Sequence, residues 1–252
     1  WSMRMDAVVL AGGRSSRLAG RPKAQLVYRG TTLLERAITA AADTGARRIA
    51  VVGTDEHGAM NDRFLSARLA STRLILTRED PPFGGPAAGI AAGIAALDAV
   101  AEDTVAEADA EADATTASVL VLACDLPQVA RAVPALTAAL PLPAGVDGVM
   151  LTDAAERAQP LTAIYRWSAL HAAIAERRGR GELNGLSVRA LLGTLEIMTV
   201  TAPPGSTDDI DTPADAARFD IALPAPKQTI TEANNHRTIR IAKETHAGQT
   251  RR

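Results

Sequence analysis

An apolar run ends on Leu10, Ala11, Gly12 and Gly13, and Arg14, Arg17, Arg21 and Lys23 follow closely behind it. Glycine leaves its backbone N–H groups open to close approach, so such a turn can cradle an anion. Arginine adds forked donors and lysine a point charge, so the combination suits a polyphosphate. The segment fits neither G-x-G-x-x-G nor G-x-x-x-x-G-K-[ST]. Standing alone, the same residues also describe a solvated basic turn after a strand. Carboxylates occur at two further places. Asp125 follows the apolar residues 118–123, and Asp209 and Asp211 precede Thr212-Pro213. Magnesium prefers hard oxygen ligands shared between carboxylates and substrate phosphates. Helix capping is the competing role for Asp125 and for Asp211.

These groups need a frame. Residues 7–10 form a short apolar run, and residues 32–42 carry apolar side chains at helical spacing with Gly45 past their end, giving a strand–loop–helix unit. Residues 48–52, 73–77 and 118–123 read as three more strands. Each is apolar throughout rather than alternating, which predicts strands covered on both faces and a mostly parallel sheet. Aromatic residues make up only 3% of the chain, so Val, Leu, Ile and Ala must build the core, as in helix-covered sheets. The expected fold class is α/β, a Rossmann-like three-layer α/β/α sandwich. A helix is expected from Gly84 to about Leu97, others near 130–139, 168–177, 186–192 and 214–222, and strands near 145–151, 160–165 and 196–200. Pro213 stands where a first-turn proline belongs.

Residues 98–117, rich in Ala, Glu, Asp and Thr without an apolar face, read as a solvated insertion or helix extension, and the polar residues 223–252 as a tail without a fold. The remaining 3–222 make one domain. A net charge of −2 offers no general attraction for nucleic acid or an anionic membrane. Cys124, the only cysteine, excludes an intrachain disulfide and a cysteine metal cage, which suits a reducing compartment. Residues 1–6 lack the features of a secretory signal, and no apolar run is long enough to span a bilayer. The expectation is a cytoplasmic protein acting on small molecules. His57, His171, His236 and His246 are scattered without ligand spacing and receive no catalytic role.

Leu10-Ala-Gly-Gly-Arg-Ser-Ser-Arg-Leu-Ala-Gly-Arg-Pro-Lys23 closely resembles the signature L-A-G-G-x-S-x-R-M-G-x-x-K of the molybdenum cofactor guanylyltransferases. More broadly it is similar to nucleotidyltransferases that include cytidylyltransferases and sugar-phosphate nucleotidyltransferases. Gly84-Gly-Pro-Ala-Ala-Gly89 resembles the family's G-G-P-L-A-G, Cys124-Asp-Leu-Pro127 its C-D-x-P, and Asp209-Ile-Asp-Thr-Pro213 its N-x-N-T-P or D-x-D-T-P. The likeness spans residues 6–220 in family order. It implies a nucleotide-diphospho-sugar transferase-like fold and transfer of a nucleotidyl group from a nucleoside triphosphate to a phosphorylated acceptor.

The resemblance assigns catalysis to Lys23, Arg17 and Asp125. It assigns nucleotide binding to Leu10, Ala11, Gly12, Gly13, Lys23, Asp80, Gly85, Pro86 and Asp125. Acceptor contacts fall to Arg189, Asp209 and Asp211, with Gln159 and Asn184 lining the same cleft, and magnesium to Asp125 and Asp211. GTP is favoured over CTP because cytosine-selecting relatives carry L-A-A-G, and a methyl at Gly12 would narrow the room for a purine. Molybdopterin is the implied acceptor, with transient contact to molybdoenzymes or cofactor-insertion proteins. Asp209 and Asp211 replace the asparagines common in the guanylyltransferases and keep other phosphorylated acceptors open. A silent nucleotide-binding module is the alternative outside catalysis. Loss of Lys23 is expected to depress turnover far more than stability.

Overall fold

The apolar runs become strands of one seven-stranded sheet in a computed structural model that describes residues 4–13, 18, 22–53, 72–102 and 117–223. β1 (Met5–Leu10) lies inside the sheet. β4 (Arg48–Val52) and then β5 (Arg73–Thr77) lie on one side of it. On the other side come β6 (Ser118–Ala123), β8 (Ala158–Arg166), β7 (Gly148–Thr152) and β9 (Ile197–Thr201). β2 (Val27–Tyr28) and β3 (Thr31–Thr32) form a separate antiparallel hairpin. All pairings in the large sheet are parallel except those of β8, which runs antiparallel to β6 and β7. The short link 153–157 forces that reversal, since a parallel crossover needs a dozen residues or more.

Helices cover both faces, as expected for a sheet whose central strands β1, β4 and β6 are almost entirely apolar. α1 (Leu33–Ala42) and α3 (Val129–Thr137) pack on one side through Leu34, Ile38, Val133 and Leu136. α2 (Pro86–Glu102) and α4 (Trp167–Gly179) pack on the other through Ile90, Ile94, Leu170 and Ile174. α1 starts on a reciprocal cap, with the Glu35 N–H donating to Thr32 Oγ1 at 3.1 Å and the Thr32 N–H donating to Glu35 Oε2 at 2.9 Å. α5 (Val188–Leu191) and α6 (Pro213–Arg218) are short. α2 runs past Leu97 into the acidic stretch, and residues 103–116 and the tail 224–252 lie outside the described residues. Among the described residues no helix is long and apolar enough to cross a membrane.

The registers align one edge of the sheet. Leu10 sits opposite both Val52 and Ala123, and Val52 opposite Thr77, so the chain leaves β1, β4, β5 and β6 along a common line. The path from β1 moves outward to β4 and β5 and then returns to β6 on the far side. Such a reversal opens a crevice at the carboxyl ends of the strands. A third apolar cluster, including Leu18, Leu26, Tyr28, Leu33, Ile210 and Ile221, fastens the β2–β3 hairpin to the segment before α6.

α2 approaches β1 at Gly93, where an added Cβ would stand 2.5 Å from Val8 Cγ1 and 2.9 Å from Val8 Cγ2. Val8 is fully buried and stiff at χ1, so it cannot give way cheaply. Gly93→Ala is therefore expected to destabilise the fold by about 1–3 kcal/mol through overpacking, despite the better helix propensity of alanine. A urea midpoint at or above that of the parent protein contradicts this packing.

Candidate active site

Three sequence-distant segments meet at the carboxyl edge. Lys23 opens a single 3-10 turn, Lys23–Gln25, whose end is fixed by the buried Leu26. Asp125 follows β6, where the Cys124 N–H donates to the Leu10 carbonyl at 3.0 Å. Asp211 arrives because Ile210 is fully buried in the third cluster and its N–H donates to the Asp125 carbonyl at 3.1 Å. Neither aspartate acts as the helix cap that its sequence position allowed. α3 has Gln128 at its N-cap without a side-chain bond, and α6 is capped by Thr212 with Asp215.

Instead, Lys23 Nζ donates to Asp125 Oδ2 at 2.9 Å and also to Asp211 Oδ1. Burial works against the Lys23 charge, but the Asp125 carboxylate and the hydrogen bonds to both aspartates outweigh it and hold the ammonium pKa above the ordinary lysine value. Asp209 joins the pair, and one ligand atom from each of Asp125, Asp209 and Asp211 lies within 4.8 Å of the others. Partial desolvation first, and then the charges of Asp125 and Asp211, hold the Asp209 carboxyl above the usual carboxylate range. Three hard oxygen donors around an unfavourable concentration of negative charge form a group that can hold a divalent cation.

The crevice is a cleft of about 790 Å³. It brings together Leu10, Ala11, Gly12, Gly13, Lys23, Gly85, Pro86, Asp125 and Asp211, all singled out in the sequence. Arg17 lies outside the described residues, as do Arg14 and Arg21. Asp80 lines an adjoining smaller cleft of about 440 Å³ with Asn184, while its neighbour Glu79 lines the large one. Arg189 is exposed on α5 and does not line the large cleft. Gln159 Nε2 lies 3.5 Å from Asp153 Oδ2, and Leu161 is the β8 residue on the cleft wall.

Gly53, Arg78, Glu79 and Phe83 also line the wall and were not anticipated. The signal for Gly53 was present, as a glycine directly after an apolar strand. Its φ is +95°, and an added Cβ would stand 2.4 Å from Gly12 Cα. In turn, a Cβ on Gly12 would stand 3.3 Å from Gly53 Cα. The small size of Gly12 thus serves a backbone-to-backbone approach at the head of the cleft.

Residues 7–195 match the MobA-like NTP transferase domain. The chain belongs to the MobA-like NTP transferase family. No curated protein matches the sequence significantly. Among solved structures, molybdopterin-guanine dinucleotide biosynthesis protein A from Archaeoglobus fulgidus superposes with a TM-score of 0.54 at 22% identity, covering 85% of this chain and 96% of that one. The 2-C-methyl-D-erythritol 4-phosphate cytidylyltransferase of Francisella tularensis gives 0.61 at 11% identity, covering 86% and 98%. The inositol-1-phosphate CTP transferase of T. maritima gives 0.56 at 12%, covering 87% and 95%. At these identities the likenesses establish a shared nucleotidyltransferase fold, and the MobA-like family membership rests on the sequence match.

The Lys23 pairing bears on stability as well as chemistry. Lys23→Met keeps the apolar stem but leaves clustered carboxylates uncompensated, a partly buried case between exposed and fully buried ion pairs. A loss of about 1–3 kcal/mol is expected in metal-free buffer. Because the folded pKa of Lys23 is raised, this contribution is complete below the ordinary lysine pKa and fades only as pH rises beyond it. Millimolar magnesium is expected to restore part of the loss. An unchanged denaturation midpoint without metal contradicts the pairing.

Proposed function

We propose that this MobA-like protein transfers GMP from GTP to the terminal phosphate of molybdopterin, releasing pyrophosphate. The observation that carries the reading is the convergence of Lys23, Asp125 and Asp211 beside the Gly12–Gly13 loop in one cleft. A silent binding module has no need of that convergence. Support for guanine comes from the L-A-G-G and G-G-P segments, and support for the acceptor from their likeness to the guanylyltransferases.

The acceptor phosphate is already an anion, so attack needs no general base. One of its oxygens forms a bond to the α-phosphorus as the bond from that phosphorus to the bridging oxygen of the β-phosphate breaks, and pyrophosphate leaves. The chain contributes alignment and charge. Lys23 has three N–H donors, and with two directed to Asp125 and Asp211 a third remains for a phosphate oxygen. Backbone N–H groups of Gly12 and Gly13, Arg17, and the amino end of α2 behind Gly85 and Pro86 add positive potential for the triphosphate. Asp125 and Asp211, with Asp209, would hold magnesium, which when bound supplies charge neutralisation to the phosphates. Arg189, Asp209 and Asp211 are the proposed acceptor contacts, and Asp80 a proposed nucleotide contact from the adjoining cleft.

A second reading, a cytidylyl- or guanylyltransferase for another phosphorylated acceptor, is favoured by the aspartates at 209 and 211. Pyrophosphate release measured over GTP and CTP, each with molybdopterin, a sugar phosphate or phospholactate, separates the two. Release with GTP and molybdopterin alone is expected. Lys23→Ala and Asp125→Asn are each expected to lose about 2–4 kcal/mol of transition-state stabilisation. Near-parental turnover in either variant, or no pyrophosphate from any combination, contradicts the proposal.

A further inference from the structure

Among the described residues only two large hydrophobic side chains are exposed, Val27 and Phe83. Phe83 is 62% exposed, yet it lies on the wall of the large cleft. Its backbone has φ +64°, in the left-handed region that a residue with a large side chain adopts only against a steric penalty. Glycine or asparagine would hold the same turn with less strain and without exposing an apolar ring. Pro81 and Pro82 precede Phe83 and restrict the backbone torsions on its amino side. Two unfavourable features coincide at one residue on the mouth of the candidate active site.

We infer that Phe83 is a stacking platform for the base of the bound nucleoside triphosphate. This rests on the nucleotidyl-transfer reading of the same cleft and names a residue that orients the substrate within it. The position favours the base over the acceptor. Arg78, Glu79, Pro82 and Phe83 enter the cleft from the exit of β5, whereas the carboxylate cluster that marks the reacting phosphate stands at the exit of β6. β5 and β6 are three strand spacings apart in the sheet order, about 14 Å, a gap wide enough for the ribose and base of a nucleotide whose α-phosphate lies at the carboxylate cluster. The triphosphate at Gly12, Gly13 and Lys23 therefore directs its base toward the loop that carries Phe83. An aromatic ring contributes affinity to any base through its face, so Phe83 strengthens nucleotide binding while edge contacts are left to select the base.

Calorimetric titration of the full chain in magnesium buffer with GTP, and separately with inorganic tripolyphosphate, tests the assignment. Phe83→Gly relieves the backbone strain and removes the ring. It is expected to bind GTP about 5- to 100-fold more weakly, with tripolyphosphate affinity unchanged and no fall in thermal midpoint. Phe83→Tyr keeps the ring and is expected to stay within about threefold of the parent for GTP, since the stacking face is retained. GTP affinity in Phe83→Gly equal to the parent, or an equal loss for tripolyphosphate, overturns the stacking role. Parental turnover with unaltered GTP binding in that variant sinks this inference alone. A parent protein that binds neither GTP nor CTP sinks both it and the reading beneath it.

Discussion

The Lys23 ammonium, shared between Asp125 and Asp211, is the interaction on which the candidate site depends. It joins residues from a loop after the first strand, the end of β6 and the segment before the last helix. Without a cation among them, the carboxylates of Asp125, Asp209 and Asp211 would repel one another at close range. Lys23 is thus a structural counter-ion and, in the proposed reaction, also a donor to incoming phosphate. The expectation that its loss would depress turnover far more than stability is narrowed by this pairing, because the charges proposed to serve the reaction also hold the site together.

The fold brings these charges to one place by aligning strand ends. Leu10, Val52, Thr77 and Ala123 finish in register, and the chain then departs into loops along a single edge. Close backbone contact between Gly12 and Gly53 lets neighbouring loops share the head of the cleft. Gly93 seats α2 against β1 and so brings its amino end, at Gly85 and Pro86, to the same cleft. The opposite edge has its own cation–carboxylate pair. Arg48 grips the buried Asp6 through Nε at 3.1 Å and Nη2 at 2.6 Å, and there the pair is closed off from substrate.

Much of this was legible in the sequence because wholly apolar strands, glycine turns and carboxylates at strand ends each have a local signature. The sandwich, the strand runs and the group Gly12, Gly13, Lys23, Asp125 and Asp211 follow from such signatures together with the family resemblance. The antiparallel β8 was hidden because its apolar pattern does not encode direction, which the five-residue link 153–157 decides. The β2–β3 hairpin was too short for periodicity to register. Glu79 and Asp80 are adjacent in sequence, but loop geometry beyond β5 turns the first toward the large cleft and the second toward its neighbour. Thr212, rather than Asp211, caps α6, a choice of one residue that spacing alone does not resolve.

The central claim is that Asp125 anchors a divalent cation in a site whose electrostatics Lys23 balances. Binding of manganese, followed by electron paramagnetic resonance with and without GTP, addresses it most directly. The account predicts one manganese ion per chain, bound more tightly when GTP is present and at least about tenfold more weakly in Asp125→Asn, the scale of a lost charged ligand. Manganese binding that is indifferent to Asp125, or absent altogether in the presence of GTP, would contradict it.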